Sequence, residues 1–190
     1  MGGTHGTLGH GAQASVGWAA AAPGERGVSG FLQRGCASVP TEEPCMSPVQ
    51  LRPLRPSDVP ELVGLCEQLG WPATAPELEE RFERLRAVPG QAVFVAEREA
   101  GGIVGWMHVQ ERPALHLPHT AEVAALVVDA AHRGTGCGRA LMAEAEGWAR
   151  ARGCQMLMLR SSSHREAAHR FYEALGYERA SSSFKFTRTL

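Results

Sequence analysis

From Val49 onward, apolar and polar positions fall into runs with either a strand or a helix period, and before it they follow neither. Val49 to Leu54 reads as a short strand, and Pro53 places it at a sheet edge because proline cannot serve a ladder on both sides. Leu62, Leu65 and Leu69 recur at helical spacing, with Ser57 or Asp58 expected as the cap and Glu61 at capping-box distance from Asp58. Trp71 to Thr74 is a loop, and Leu78, Phe82 and Leu85 mark a second helix. Gln91 to Arg98 and Ile103 to Gln110 read as strands joined at Gly101-Gly102, a hairpin signal. A loop with two prolines, Glu111 to His119, leads to an apolar strand from Glu122 to Val128. Gly138 to Arg152 is a helix with Leu141, Ala145 and Trp148 on one face and Gly153 as its stop. Cys154 to Leu159 is expected as a buried strand. Arg165 to Leu175 is a helix carrying Ala168, Phe171, Tyr172 and Leu175, and Phe184 to Thr187 is a final alternating strand.

A hairpin followed by strand, helix and strand implies an α/β domain: a mixed sheet with helices on its faces. The 190 residues suffice for one such domain. It is expected to span residues 48–190. Residues 1–47 have another composition: ten of the chain's 22 glycines, a tract from Ala19 to Ala22, and few charges. Such a segment cannot bury enough apolar surface to offset its chain entropy, so disorder is expected there. Its first lysine or arginine is Arg26, so it lacks the positive start of a secretory leader. Met46, next to the first ordered pattern, is a candidate translation start.

Charge and cysteine usage narrow the function classes. A net charge of -1 provides no global field for nucleic acid or an acidic membrane. No run of about 18 apolar residues is present, so no membrane helix is expected. The five cysteines are odd in number and none forms a CxxC pair, which argues against a zinc ribbon, a redox dithiol or a disulfide framework. Free thiols in a reducing, cytoplasmic compartment fit this pattern.

The most informative stretch is Leu126-Val127-Val128-Asp129-Ala130-Ala131-His132-Arg133-Gly134-Thr135-Gly136-Cys137-Gly138-Arg139. It reads as strand, turn, then helix, with three alternating glycines where the helix begins. Glycine permits close backbone approach and conformations closed to other residues. The free N–H groups of a first helical turn, with the helix dipole, form an anion site suited to pyrophosphate. Arg133 and Arg139 add positive charge at either end. Two familiar phosphate loops fail on spacing. No GxxxxGK[ST] can be drawn, and the third glycine of GxGxxG is replaced by Arg139 when counted from Gly134 or by Leu141 when counted from Gly136.

The stretch resembles the coenzyme A loop of the GCN5-related N-acetyltransferases, [RQ]-x-x-G-x-[GA], with Arg133, Gly136 and Gly138 filling it. Ala168 to Tyr177 resembles the same family's later motif, A-x-x-F-Y-x-x-x-G-[FY]. Where the family often has Asn, three residues before the alanine, this chain has Arg165. The resemblance covers Val49 to Leu190. It implies a sheet with a splayed V between its two central parallel strands, ending at Val128 and Leu159, into which acetyl-coenzyme A enters as co-substrate. The backbone of Leu126, Val127 and Val128 would pair with the pantetheine amides. Gly134, Thr135, Gly136, Cys137, Gly138 and Arg139 would hold the diphosphate.

By the same resemblance a primary amine attacks the thioester directly, through a tetrahedral intermediate, and Tyr172 protonates the departing thiolate. Glu122 is the candidate base for the amine, with Glu111, His116 and His119 as alternatives. His116 and His119 have an HxxH spacing without a third ligand, so no metal is expected. Trp71 is a candidate pocket residue or an ordinary core aromatic. The C-terminal run is similar to a small-molecule branch that includes aminoalkylphosphonate acetyltransferases, so the expected partner is a small amine, and homodimers are common in the family. A non-catalytic acyl-coenzyme A-binding module, and an acetyltransferase acting on a protein amine, are the competing readings.

Overall fold

The computed structural model describes residues 49–181 and 186–189. The expected disorder of 1–47 lies outside the described residues, as do Phe184 and Lys185 of the expected last strand. Phe186 and Thr187 carry no strand. Five strands form one sheet in the order β1-β2-β3-β4-β5: β1 Val49–Pro53, β2 Gln91–Arg98, β3 Ile103–Glu111, β4 Thr120–Val128 and β5 Met156–Leu159. The first three pairings are antiparallel, and β4 with β5 is parallel. The sheet is therefore mixed, and β1 stands at an edge as Pro53 requires.

Four α-helices complete the domain: α1 Val63–Leu69, α2 Ala75–Arg86, α3 Cys137–Ala151 and α4 Glu166–Ala174. The expected cap for the first helix is displaced. The chain enters a 3-10 helix at Pro56–Leu62, and Asp58 is its third residue, accepting the Arg55 N–H at 2.8 Å. Pro60 lies inside that turn and has no N–H to donate, so regular α-helix begins only at Val63. Glu61 instead accepts the Ile103 N–H at 3.2 Å. The second helix has the capping box its sequence carries: Glu77 accepts from the Thr74 N–H at 2.8 Å. β5 begins at Met156 rather than Cys154 and is only half-buried, with Met156 exposed.

Each face of the sheet has its own core. Met107, Val109, Ala121 and Val123 pack with Leu141, Met142 and Ala145 of α3, and Phe171 and Tyr172 of α4 border that cluster. On the other face, Val95 and Val127 pack with Leu62, Leu65 and Cys66. Among the described residues no helix is long and apolar enough to cross a membrane. Cys66, Cys137 and Cys154 are free thiols.

An ion triad ties the edge strand to this framework. Arg52 donates to Asp58 at 2.5 Å and to Glu97 at 2.6 Å, and the side chains of Arg52 and Asp58 are nearly buried. The hydrogen bond from Arg52 holds the Asp58 carboxyl below the ordinary carboxylate range. Arg52→Leu strands the Asp58 carboxylate, and the expected loss of stability is about 3 kcal/mol in urea unfolding at pH 7. Because the folded value is depressed, the contribution is complete above about pH 4 and disappears as pH falls through that lower value. The gap between wild type and variant should therefore narrow on acidification; a gap that stays constant down to pH 2 would show that the triad is not its source.

Candidate functional site

Register decides the geometry of the site. β4 pairs with β5 only from Thr120 to Val123, where Val123 faces Leu159. On its other side β4 stays paired with β3 as far as Val128, but the ladder jumps from His108–Ala125 to Val109–Val123. Ala124 is the extra residue, and it is exposed inside an otherwise covered strand. A bulge of this kind bends its strand and ends local pairing. Beyond it β4 and β5 separate into a V, and the outer edge of Ala124 to Val128 has no strand beside it among the described residues.

Alternation along an antiparallel ladder assigns the open groups. The Asp129 N–H donates to the Val104 carbonyl, so Val127 and Ala125, two and four residues back, also turn their main chain toward β3. Leu126 and Val128 therefore present theirs to the V. In agreement, the Val128 carbonyl accepts from Arg133 Nε at 3.1 Å. Of the three residues expected to meet a pantetheine arm, two offer backbone groups. Val127 contributes a side chain to the core beside α1 instead.

The turn after β4 is braced from both sides. Asp129 accepts from Gln68 Nε2, the Ala131 N–H and the His132 ring, and these bonds lower its carboxyl to about 2. Gln68 also accepts the Ala130 N–H at 2.9 Å, which fastens the turn to α1. Thr135 Oγ1 donates to the His132 carbonyl at 2.7 Å. Gly134 and Gly136 have φ of +81° and +85°, the left-handed region that side chains resist. Gly136 is the N-cap of α3. Among the described residues, no group of the protein accepts a hydrogen bond from the N–H groups of Gly134 to Arg139. Six successive donors thus stand free at the positive end of a 15-residue helix.

Two further glycines set distances. A Cβ at Gly105 would stand 2.9 Å from the Val127 carbonyl oxygen and 3.3 Å from Cys137 Sγ, so α3 can lie close on the sheet only without it. A Cβ at Gly138 would come within 3.2 Å of the Phe171 ring, which seats α4 against the start of α3. Cys137 contributes only its N–H to the loop. Its thiol is buried in the core, and that burial raises it to about 11, far from a nucleophile's range.

Tyr172 is half-buried on α4, with its ring 5.2 Å from Phe171 and 6.3 Å from Tyr177. Its hydroxyl has no hydrogen bond to the described protein, and burial raises it above the ordinary phenol value, so it is protonated at neutral pH. Glu122 is 9% exposed and tied on several sides: Arg112 at 3.0 Å, Arg160 at 3.6 Å and the Gln110 amide at 3.4 Å. Two of the alternative bases are tied to each other. Glu111 is bound to Arg152 at 2.7 Å and to His119 at 3.1 Å, and His116 is exposed. No group of three or more potential metal ligands is found among the described residues. Gln68, Asp129 and His108, which faces a cavity on the α1 side at Gln91, were not singled out by pattern, because each acquires its meaning from a partner distant in sequence.

With this geometry in place, the relatives can be compared. The Acetyltransferase (GNAT) family pattern matches residues 59–177. No curated protein sequence matches significantly. Among solved structures, a protein described as a transcriptional regulator from Bacillus halodurans C-125 shares 25% identity at a TM-score of 0.67, covering 74% of this chain and 99% of that one. An acetyltransferase from Trypanosoma brucei shares 26% at 0.64, covering 74% of this chain and 100% of that one. The fold is also that of AAC(6')-Iy, solved with a bisubstrate analog, CoA-S-monomethyl-acetylneamine: 18% identity, TM-score 0.67, 76% of this chain and 100% of that one.

The loop's dependence on glycine is measurable. Gly136→Ala should cost about 1 kcal/mol of stability, the penalty for a side chain in the left-handed region. Gly147, in the interior of α3 with open space around its Cβ position, supplies the control: Gly147→Ala should gain about 0.5–1 kcal/mol. Denaturant midpoints that move in the same direction for both would contradict the assigned loop conformation.

Proposed function

The chain belongs to the GNAT acetyltransferase family, and from that premise we propose that it moves an acetyl group from acetyl-coenzyme A to the primary amine of a small molecule. The observation that carries this reading is the continuity of two sets of unused donors and acceptors. The edge of β4 is open at both backbone groups of Leu126 and at the Val128 N–H, the Val128 carbonyl being held by Arg133, and it runs directly into the free N–H groups of Gly134 to Arg139. A molecule with amides at one end and a diphosphate at the other matches that sequence of groups. The amides would extend the sheet as a strand does. The diphosphate would take the loop, with Arg133 and Arg139 nearby.

In this arrangement the thioester lies deep in the V, toward Ala124. The amine nitrogen forms a bond to the acetyl carbon through a tetrahedral intermediate, the C–S bond breaks, and sulfur needs a proton. Tyr172 is assigned to supply it. Its hydroxyl is free, and its raised value keeps the proton in place until a thiolate develops nearby. The small-molecule acceptor is supported by the aminoglycoside analog held by a protein of the same fold. The free thiols of Cys66, Cys137 and Cys154 suit a reducing cytoplasm. One observation favours a second reading, an acyl-coenzyme A-binding regulator without turnover: the similarity to the protein described as a transcriptional regulator.

Calorimetry with coenzyme A and thiol release from acetyl-coenzyme A separate these. The enzyme reading expects amine-dependent release of thiol. Binding without release for any amine supports the regulator, and failure to bind removes both. Tyr172→Phe should lower kcat by about a hundredfold or more while the affinity for coenzyme A changes little. Since burial raises the phenol, the wild-type rate should not decline on account of Tyr172 until pH exceeds about 10. An unchanged kcat in the variant would take the proton transfer away from this residue.

A further inference from the structure

A cavity of about 360 Å³ lies on the α1 and α2 side of the sheet, away from α3. Leu62, Leu69, Leu78, Phe82 and Trp106 give it apolar walls, and no Asp or Glu lines it. Its polar features are few. Arg81 comes from α2 with its side chain half exposed. The Trp106 indole N–H is buried without a hydrogen-bond partner. His108 lies on the same face of β3, and the exposed Trp71 and the Cys66 thiol border the cavity as well. Ala125 lines the cavity as well, so it meets β4 one residue past the bulge where the V opens.

We propose that this cavity holds the acceptor as a primary amine on an apolar body, and that His108 takes the proton from its nitrogen. The proposal rests on the acetyltransferase reading above and specifies its substrate class. Charge decides the class. A polycation such as an aminoglycoside would need carboxylates to replace its hydration, and an unpaired ammonium in apolar surroundings is costly. A phosphonate would need several cations or clustered donors, and here one exposed arginine is available. Apolar surface, by contrast, gains about 25 cal/mol for each Å² removed from water. The unpartnered indole N–H suits an ether, carbonyl or hydroxyl oxygen on that body.

The hydrogen bond at His108 fixes its tautomer. Nε2 lies 2.6 Å from Gln91 Oε1, and an amide oxygen only accepts, so Nε2 carries the proton and Nδ1 keeps a lone pair. Glu122 on β4 favours the ring's protonation, and Arg81 on α2 lines the same cavity. Burial outweighs Glu122 and lowers the imidazole below its ordinary value, leaving it neutral and able to accept at pH 7. Glu122 itself is occupied by Arg112 and Arg160. For a neutral amine the step balances: nitrogen bonds to the acetyl carbon and gives one proton to His108, sulfur leaves with its electron pair and takes one from Tyr172, and exchange with solvent resets both residues.

The test is thiol release from acetyl-coenzyme A with hexylamine, phenylethylamine, neamine and aminoethylphosphonate, alongside calorimetry with coenzyme A. The apolar amines should exceed the other two at least tenfold in kcat/KM. Preference for neamine or the phosphonate, or coenzyme binding with no amine turned over, overturns the substrate class. Absence of coenzyme binding instead strikes the acetyltransferase reading beneath it. Phe82→Ala, on a helix with no buried residue, should raise KM for phenylethylamine several-fold with coenzyme affinity unchanged. An unchanged KM places the acceptor elsewhere. His108→Gln should lower kcat/KM about a hundredfold at pH 7 and abolish the acid limb of its pH profile. A profile that keeps its acid limb assigns the proton to another group.

Discussion

The structure depends on one break in hydrogen bonding: β4 keeps its partner on one side and loses it on the other. Pairing with β3 continues to Val128, whereas pairing with β5 stops at Val123. Ala124 supplies the extra residue at that point. Main-chain groups without partners are unfavourable unless water or a ligand reaches them, so an open edge inside a sheet persists only where surrounding contacts hold it. Here both faces do so. Val127 is locked among Leu62, Leu65 and Cys66, while Ala121 and Val123 are locked against α3. β4 cannot shift toward β5 without withdrawing these side chains from both cores.

The other parts of the site follow from the same strand. β4 ends at Val128, Asp129 gathers the turn, and α3 starts with its N–H groups unused beside the open edge. Gly105 lets Cys137 and Leu141 settle on the sheet, and Gly138 leaves room for the Phe171 ring. Phe171 in turn positions its neighbour Tyr172. A small residue at each of two points thus sets the distance from sheet to α3 and from α3 to α4. The chemistry assigned to Tyr172 rests on packing before it rests on acidity.

Much of this was legible in the sequence because it is local. Strand and helix periods, the glycines around α3 and the Phe171-Tyr172 pair all act within a few residues. What was not legible arises between segments. Pro60 turned the first helix into a 3-10 entry, where Asp58 closes a capping box from the third position and also joins an ion triad that needed Arg52 and Glu97 from two strands. The bulge at Ala124 could not be read from Glu122-Val123-Ala124-Ala125, since a bulge is a property of two strands in register. The backbone directions of Leu126, Val127 and Val128 followed from the same register. Glu122 reads as the candidate base, with no partner visible in the sequence. Its ties to Arg112 and Arg160 come from a loop and from the end of β5. His108 was hidden in the alternation of β3, where a polar residue on a half-covered face attracts no notice.

The two titratable groups assigned to proton transfer share one physical device, used with opposite sign. Burial disfavours the charged form of any group. It therefore raises the Tyr172 phenol and lowers the His108 imidazole, and both are neutral at pH 7. One is then a donor that keeps its proton until a thiolate needs it, and the other an acceptor with a free lone pair. Environments that push two such groups apart define acid and base without any charge stored between them. Their placement agrees with this division, because Tyr172 borders the core that faces α3, while His108 opens on the opposite side of the sheet. The carrier and the amine would then approach the break in β4 from different faces, and the V is the passage through which they meet.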